Sequence, residues 1–264
     1  MTQIVGILNT TPDSFSDGGK FYNVDDAVRR AGELIEEGAD IIDIGGESSR
    51  PGSKPVPAGE ELRRVLPVIR RIKKKFDIRL SIDTYKSEVA SAAVDEGAEI
   101  VNDIAGLTYD GGKMADVVSQ KKVKVIIMHM KGMPENMQEH PVYGDVISEI
   151  SGFLKSRSDF AVSRGIERNN IIIDPGIGFG KTAQHNLMII KHLAEFKKLG
   201  MPVMVGPSRK SFIGTLLGKD VAQRLEGTIA ACIVSAQNGA DYLRVHDAGS
   251  VKNALKIFES IINS

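Results

Sequence analysis

The chain has 264 residues, of which 42% are hydrophobic and 26% are charged, as in ordinary soluble globular domains. Lysine plus arginine and aspartate plus glutamate both number 34, so the formal net charge is zero and we expect neither a nucleic-acid partner nor a membrane partner. The 27 glycines and 10 prolines form no repeat or low-complexity tract, which excludes collagen and argues against disorder.

The single cysteine and the apolar runs bear on where the protein works. Cys232 has no cysteine to pair with and lies in an apolar run, which indicates a packed thiol and favours a reducing cytoplasm. No signal-peptide pattern precedes the apolar run that begins at Ile4. No apolar run approaches the ~20 residues that span a bilayer. We therefore expect a soluble, cytoplasmic protein.

Eight short β-rich runs recur along the chain, and most are apolar on both faces, which is typical of strands in a buried parallel sheet. They begin at Ile4, Ile41, Arg79, Ile100, Lys124, Ile171, Val203 and Tyr242. The shortest interval is 21 residues, from Arg79 to Ile100, and the longest is 47, from Lys124 to Ile171. Each interval leaves room for a helix.

Apolar residues recur at helical spacing between these runs. The clearest stripes fall in residues 27–35, 62–72, 187–196 and 251–262. Pro67 inside the second stripe predicts a kink or a late start, and Thr182 is a good N-cap before the third. Eight strand–helix units in ~250 residues predict an α/β fold, a single (β/α)8 TIM barrel that takes in residues 1–264 as one domain.

Polar side chains follow every predicted strand, at the end of a barrel where active sites lie. They are Asn9, Asp43, Glu47, Asp83, Asn102, Asp103, His129, Asp174, Arg244, His246 and the run 208–211. Any one of them could be a helix cap or a turn residue. Because all eight strands end in this way, we expect a functional site at the mouth of the barrel.

Two kinds of chemistry are present in this set. Asp83, Asn102 and Asp174 offer hydrogen-bond acceptors. Asn9, Lys210, Arg244 and His246 can receive an anion. The combination predicts a ligand in two parts, a heterocycle with N–H donors and a phosphate-like group.

The segment 8–19, LNTTPDSFSDGG, closely resembles a signature of the dihydropteroate synthase family. Residues 43–52, DIGGESSRPG, resemble the second loop of that family. Further matches follow in order at 81–84, 101–103, 128–130, 174–182, 208–212 and 244–247. Because the likeness recurs at the end of every predicted strand, it covers the whole chain.

The resemblance implies the condensation of 6-hydroxymethyl-7,8-dihydropterin diphosphate with p-aminobenzoate, which gives 7,8-dihydropteroate and pyrophosphate in folate synthesis. In the family the bond to diphosphate breaks first, in an SN1-like step that leaves a dihydropterin cation. The residues implied to be catalytic are Asp83, Lys210, Arg244 and His246. The residues implied to bind the pterin are Asp83, Asn102, Ile104, Met128, Asp174, Phe179 and Lys210.

The resemblance also implies the other ligand sites. The diphosphate group would be bound by Asn9, Arg244 and His246, and Asn9 would also be a ligand of Mg2+. The p-aminobenzoate pocket, where sulfonamides would compete, would contain Phe15, Ser49, Arg50, Pro51, Phe179, Lys210 and Ser211. The family is usually a homodimer through helices outside the barrel, and Ile229, Ile233 and Ala236 could form such an apolar face. Ordinary packing of a helix against the barrel would explain these three residues equally well.

Several other functions remain open at this point. Residues 174–182 nearly match a phosphate-binding P-loop, but Pro175 stands where that pattern needs glycine. Lys210 could form a Schiff base in an aldolase, which borohydride trapping would reveal. A pterin-binding methyltransferase or a non-catalytic pterin binder could share the fold, although neither needs the diphosphate residues. The five histidines lack zinc-site spacing.

Overall fold

The computed structural model describes residues 2–11, 24–139 and 141–264, and its strands form one eight-stranded parallel sheet. The strands are β1 Gln3–Asn9, β2 Ile41–Gly45, β3 Arg79–Asp83, β4 Ile100–Asp103, β5 Lys124–Met128, β6 Ile171–Asp174, β7 Met204–Val205 and β8 Tyr242–Val245. Their order is β6-β5-β4-β3-β2-β1-β8-β7, and a bridge between Ile173 and Val203 brings β6 beside β7. The sheet is therefore a nearly closed barrel, and the predicted fold class is confirmed.

Helices follow the strands around the outside of the barrel. They are α1 Val24–Glu36, α2 Ala58–Lys75, α3 Ser87–Asp95, α4 Lys113–Lys121, α5 Val146–Ser163, α6 Ala183–Lys191, α7 Leu193–Lys197, α8 Ser211–Leu217, α9 Leu225–Gln237 and α10 Ala248–Ile262. Within the described residues, no helix is both long enough and apolar enough to cross a membrane.

Two of the predicted helical stripes show where tertiary packing changed the expected boundaries. Pro67 lies inside α2, which begins at Ala58, so the expected late start is wrong. A proline removes one backbone donor from a helix, and the buried side chains of Val65, Ile69 and Ile72 hold α2 in place on both sides of it. The stripe 187–196 belongs to two helices, α6 and α7, which meet at His192.

The apolar core has two parts. The larger part lies between the barrel and its helices and includes Cys232, which is fully buried on α9. Burial raises the pKa of the Cys232 thiol. The smaller part is formed by Val5, Ile41, Ile100, Ile126, Ile172, Met204 and Tyr242. Most of these residues lie in the first half of their strands, so the opposite end of the barrel is left for polar side chains.

Candidate active site

A cavity of about 320 Å³ lies at the carboxyl ends of the strands. Its lining residues are Asp83, Asn102, Ile104, Met128, Asp174, Gly176, Ile177, Phe179, Gly206, Lys210 and Arg244. Every residue that the resemblance implied for the pterin is in this set. The structure thus brings that whole predicted group together around one cavity.

The register of the strands places the polar side chains beside one another. Asp83 at the end of β3 is the register partner of Asn102 on β4, and Asp174 at the end of β6 is the partner of Met128 on β5. Because strands in a parallel barrel end at the same side, neighbouring last residues converge on one mouth.

Two carboxylates hold the guanidinium of Arg244. Its Nε donates to Asp43 Oδ2 at 2.6 Å, and its Nη2 donates to Asp83 Oδ2 at 2.6 Å. Asn102 Nδ2 donates to the same Asp43 oxygen at 3.0 Å. Asn102 Oδ1 has no hydrogen-bond partner among the described residues, so this acceptor is available to a ligand. Asp43 is thus a site residue that the sequence reasoning left without a role.

Burial and mutual charge shift the pKa values of these groups. Burial raises the pKa of Asp83 well above its ordinary value, and the nearby Arg244 opposes that rise. Burial also raises the pKa of Asp174 to about 6, against the hydrogen bond from the Gly176 amide. Burial, with the positive charge of Arg244, lowers the pKa of Lys210 to about 8. Desolvation therefore makes ionisation of both carboxyls sensitive to what else occupies the cavity.

Lys210 and Phe179 form an aromatic and cationic wall of the cavity. Lys210 Nζ lies 4.0 Å from the centre of the Phe179 ring, within cation–π distance. A Cβ at Gly178 would lie 2.9 Å from Lys210 Cδ, so a larger residue at position 178 would displace this lysine stem. The wall offers both a flat apolar face and an N–H donor.

The loop 174–182 is packed tightly against the end of β5. A Cβ at Gly176 would lie 2.0 Å from the His129 carbonyl oxygen. Lys181 is buried, and its Nζ contacts His129 Nδ1 at 3.0 Å, the His129 carbonyl at 3.2 Å and the Phe179 carbonyl at 2.9 Å. Because Lys181 is buried and its Nζ is directed at these protein groups, it is not placed to bind a phosphate as a P-loop lysine does. No pattern in the sequence predicts this internal role of Lys181.

His246 lies after β8, near the guanidinium of Arg244. Its Nδ1 is 3.0 Å from Ser208 Oγ. Burial, together with the charges of Arg244 and Arg209, lowers the pKa of His246 to about 3, so the ring is neutral at pH 7. Arg209 is paired with Asp247 at 2.9 and 2.5 Å and is therefore not a free cation.

Asn9 ends β1, opposite Gly45. A Cβ at Gly45 would lie 3.8 Å from Asn9 Oδ1 and 3.6 Å from Asp83 Oδ2, so both oxygens flank this glycine. The described residues contain no group of three or more His, Cys, Asp or Glu that could hold a metal. A hard cation here would need oxygen ligands from a substrate as well as from the protein.

The residues implied for p-aminobenzoate are less closely gathered. Ser49 lines a second cavity of about 220 Å³ with Glu47, Glu61, Asp83, Thr84, Tyr85 and Ile104. Arg50, Pro51 and Ser211 are exposed and line neither cavity. Phe15 lies outside the described residues. Among the members of that group that the structure describes, only Phe179 and Lys210 line the main cavity.

Comparisons with known proteins agree with this geometry. Residues 5–246 match the family of pterin binding enzymes. The dihydropteroate synthase of Synechocystis sp. is 45% identical over 261 residues, which cover 98% of this chain and 90% of the relative.

Two solved structures are also similar over the whole chain. A Yersinia pestis dihydropteroate synthase in a sulfonamide drug complex has a TM-score of 0.94 and 41% identity, and the match covers 100% of this chain and 95% of that one. A Xanthomonas albilineans dihydropteroate synthase in complex with 7,8-dihydropteroate has a TM-score of 0.90 and 41% identity, with 100% and 94% covered.

Proposed function

The chain belongs to the dihydropteroate synthase family, and from this premise we propose that its main cavity holds the dihydropterin ring. The protein is a transferase that condenses 6-hydroxymethyl-7,8-dihydropterin diphosphate with p-aminobenzoate to give 7,8-dihydropteroate and pyrophosphate. One observation supports the site assignment above all others. Acceptors for a ring edge and the buried cation Arg244 line the same cavity.

The pterin ring binds by its edge and its faces in this proposal. Asp174, Asn102 and Asp83 accept hydrogen bonds from the N–H groups of the ring. Lys210 donates to the carbonyl oxygen of the ring. Ile104, Met128 and Phe179 belong to one buried apolar cluster, and they cover the ring faces.

Bond cleavage comes before attack by the amine. The electron pair of the C–O bond leaves with the diphosphate, and the resulting methylene cation is conjugated with the ring. Arg244 and His246 stabilise the departing charge, while Asp83 and Asp174 stabilise the cationic ring. The lone pair of the p-aminobenzoate amine then forms the C–N bond, and the nitrogen loses a proton. No protein nucleophile takes part.

Mg2+ fits the oxygen ligands at this end of the barrel. Asn9 Oδ1 and Asp83 Oδ2 both lie beside Gly45, so two side-chain oxygens are present at this end of the barrel. We propose that Asn9 supplies the protein ligand and that the diphosphate and waters complete the coordination. When bound, Mg2+ neutralises part of the diphosphate charge.

The loop 48–55 and the wall of Lys210 and Phe179 form the p-aminobenzoate site in this proposal. Its residues are Phe15, Ser49, Arg50, Pro51, Phe179, Lys210 and Ser211. Sulfonamides compete at this site, in keeping with the drug complex of the Yersinia pestis relative.

We also propose that the protein works in the cytoplasm as a homodimer.

A direct assay tests the proposal. Purified protein is mixed with Mg2+, the dihydropterin diphosphate and labelled p-aminobenzoate, and we expect labelled dihydropteroate and an equal amount of pyrophosphate. Pterin binding without labelled product would contradict the activity and indicate a non-catalytic binder. Trapping of a carbonyl substrate on Lys210 by borohydride would point to a Schiff-base enzyme instead.

A further inference from the structure

A second cluster of charged side chains lies where the loops after β2 and β3 meet α2. Lys86 Nζ donates to Glu47 Oε2 and to Glu61 Oε2, at 2.6 Å in both cases. The Tyr85 hydroxyl donates to Glu47 Oε1 at 2.8 Å. Glu61 is fully buried, and the side chains of Lys86 and Glu47 are only 10% and 11% exposed. We call these four residues the loop clamp.

Glu47 also closes the loop that follows it. The same Oε2 that Lys86 contacts accepts a hydrogen bond from the Val56 amide at 2.7 Å. Residues 48–55 are therefore tied at both ends to one carboxylate. Within them, Ser53 Oγ lies 2.5 Å from the Ser48 carbonyl oxygen and 2.7 Å from the Arg50 carbonyl oxygen, and its single hydrogen can be donated to either. The loop is thus held at its base and braced inside.

Charge explains why Lys86 is needed in this arrangement. Glu47 and Glu61 both direct a carboxylate at the same ammonium group, and without it two buried negative charges would face each other. Burial alone would favour the deprotonated form of Lys86. The hydrogen bonds and charges of Glu47 and Glu61 outweigh this effect and raise the pKa of Lys86 above its ordinary value. Lys86 therefore stays charged and keeps the Glu47 carboxylate aimed at the loop.

We propose that Glu47, Tyr85 and Lys86 are positioning residues for the amine substrate, because they fix the loop 48–55 beside the main cavity. The inference rests on the proposed role of that loop in binding p-aminobenzoate. The clamp side chains do not line the main cavity, whose ring acceptors Asp83, Asn102 and Asp174 are carried by β3, β4 and β6. Of these acceptors, Asp83 also lines the second cavity with Glu47 and Tyr85. We therefore expect loss of the clamp to act on the amine substrate and to leave the pterin acceptors in place.

Two substitutions test the clamp in the full-length enzyme. Tyr85→Phe removes one hydrogen bond to Glu47, and Lys86→Met removes the shared cation. We expect the KM for p-aminobenzoate to rise roughly tenfold, as the loss of a hydrogen bond to a charged group allows. The KM for the dihydropterin diphosphate and the Kd of a pterin in calorimetry should stay unchanged.

Matched controls separate this effect from general damage. Tyr109→Phe removes the hydroxyl of the ring that packs edge-on against Tyr85, with centroids 4.6 Å apart. Lys121→Met removes a lysine from an ion pair with Asp95 on the surface. Both controls should leave both KM values unchanged.

Hydrogen exchange supplies a readout independent of turnover. The Val56 amide lies between Pro55 and Pro57, so it is an isolated N–H probe of the closed loop. Its exchange should accelerate in Tyr85→Phe and not in Tyr109→Phe. If Lys86→Met does not fold, Tyr85→Phe alone decides the outcome.

Unchanged KM for p-aminobenzoate and unchanged Val56 exchange in Tyr85→Phe would overturn the proposal. An equal loss of affinity for both substrates would also overturn it, because this would be the effect of a general structural role. Lack of product from the unaltered protein would instead contradict the proposed function, and the Val56 exchange rate would still decide whether the clamp holds the loop.

Discussion

Asp174 links the loop after β6 to the ligand cavity. Its Oδ1 accepts a hydrogen bond from the Gly176 amide at 2.7 Å, and its side chain lines the cavity. We expect Asp174→Asn to weaken pterin binding by about tenfold or more, because the amide turns a donor toward N–H groups and leaves buried polar atoms unpaired. Calorimetry with a pterin measures this directly. Asp116→Asn, in a surface ion pair with Arg164, is the control, and equal affinities in both variants would refute the assignment.

The raised pKa values of the two cavity aspartates predict a pH dependence of pterin binding. A carboxyl accepts hydrogen bonds best when ionised, and burial raises the pKa of Asp174 to about 6 and that of Asp83 above its ordinary value. The affinity should therefore fall as the pH is lowered from about 8 to about 5, because both groups become protonated. Calorimetry across this range would contradict the prediction if the affinity were constant.

Most of the site residues that the sequence predicted lie at the ends of strands. Asp83, Asn102 and Asp174 could be predicted because each follows a recognisable apolar run. The role of Asp43 could not be predicted, since its hydrogen bond to Arg244 joins residues 201 positions apart. Lys181 was equally hidden, because its burial depends on the packing of β5 against the loop 174–182.

The loop 174–182 places Asp174 and Phe179 only if its backbone keeps close contact with β5. Gly176 has a φ of +71°, and an added Cβ would overlap the His129 carbonyl. Gly200 has a similar φ of +77° but no atom within 4 Å of such a Cβ. A substitution at Gly200 therefore introduces backbone strain alone, whereas a substitution at Gly176 introduces both backbone strain and steric overlap.

We expect Gly200→Ala to lower the free energy of unfolding by about 1 kcal/mol, from the positive φ alone. Gly176→Ala should lower it by about 3 kcal/mol or more, because overlap adds to strain. Chemical denaturation of both variants measures the difference. Equal losses would contradict the prediction and would mean that the loop can move away from β5 without cost; pterin binding should then weaken in Gly176→Ala, because Asp174 and Phe179 would be displaced.

The first and last residues of the helices were harder to predict than those of the strands. Thr182 was recognised as an N-cap, and its Oγ1 accepts from the His185 amide at 3.1 Å. The break at His192 and the uninterrupted course of α2 through Pro67 depend on packing against the barrel. Helix boundaries of this kind are set by tertiary contacts that a local pattern does not contain.

The exposed face of α9 is where we expect two copies of the chain to meet. Ile229, Ile233 and Ala236 are partly buried against the barrel core, while Val234 on the same helix is 42% exposed. Sedimentation should give a mass near twice the 28.6 kDa of the chain. Val234→Glu should shift the mass toward the monomer, because a charge would be buried in the interface.

Val162 on α5 provides the matched control, since it is the same residue type and is also 42% exposed. Val162→Glu should leave the mass unchanged. A monomeric unaltered protein, or equal behaviour of both variants, would contradict dimerisation through α9.

The barrel as a whole was predictable because eight apolar runs fall at intervals that each admit a helix. The predicted starts lie within one residue of the observed strands. Closure of the barrel between β6 and β7 could not be predicted from the sequence in the same way, because β7 has only two residues and a single bridge joins Val203 to β6. Such long-range pairing depends on the other strands being in place.

The deep burial of Cys232 makes the native protein nearly silent toward thiol reagents, since a buried thiol with a raised pKa reacts slowly. A fluorophore could therefore be attached at a single chosen place without removing the natural cysteine. One such place is Lys54→Cys, in the exposed part of the loop 48–55. Its emission would then follow the arrival of each substrate in real time.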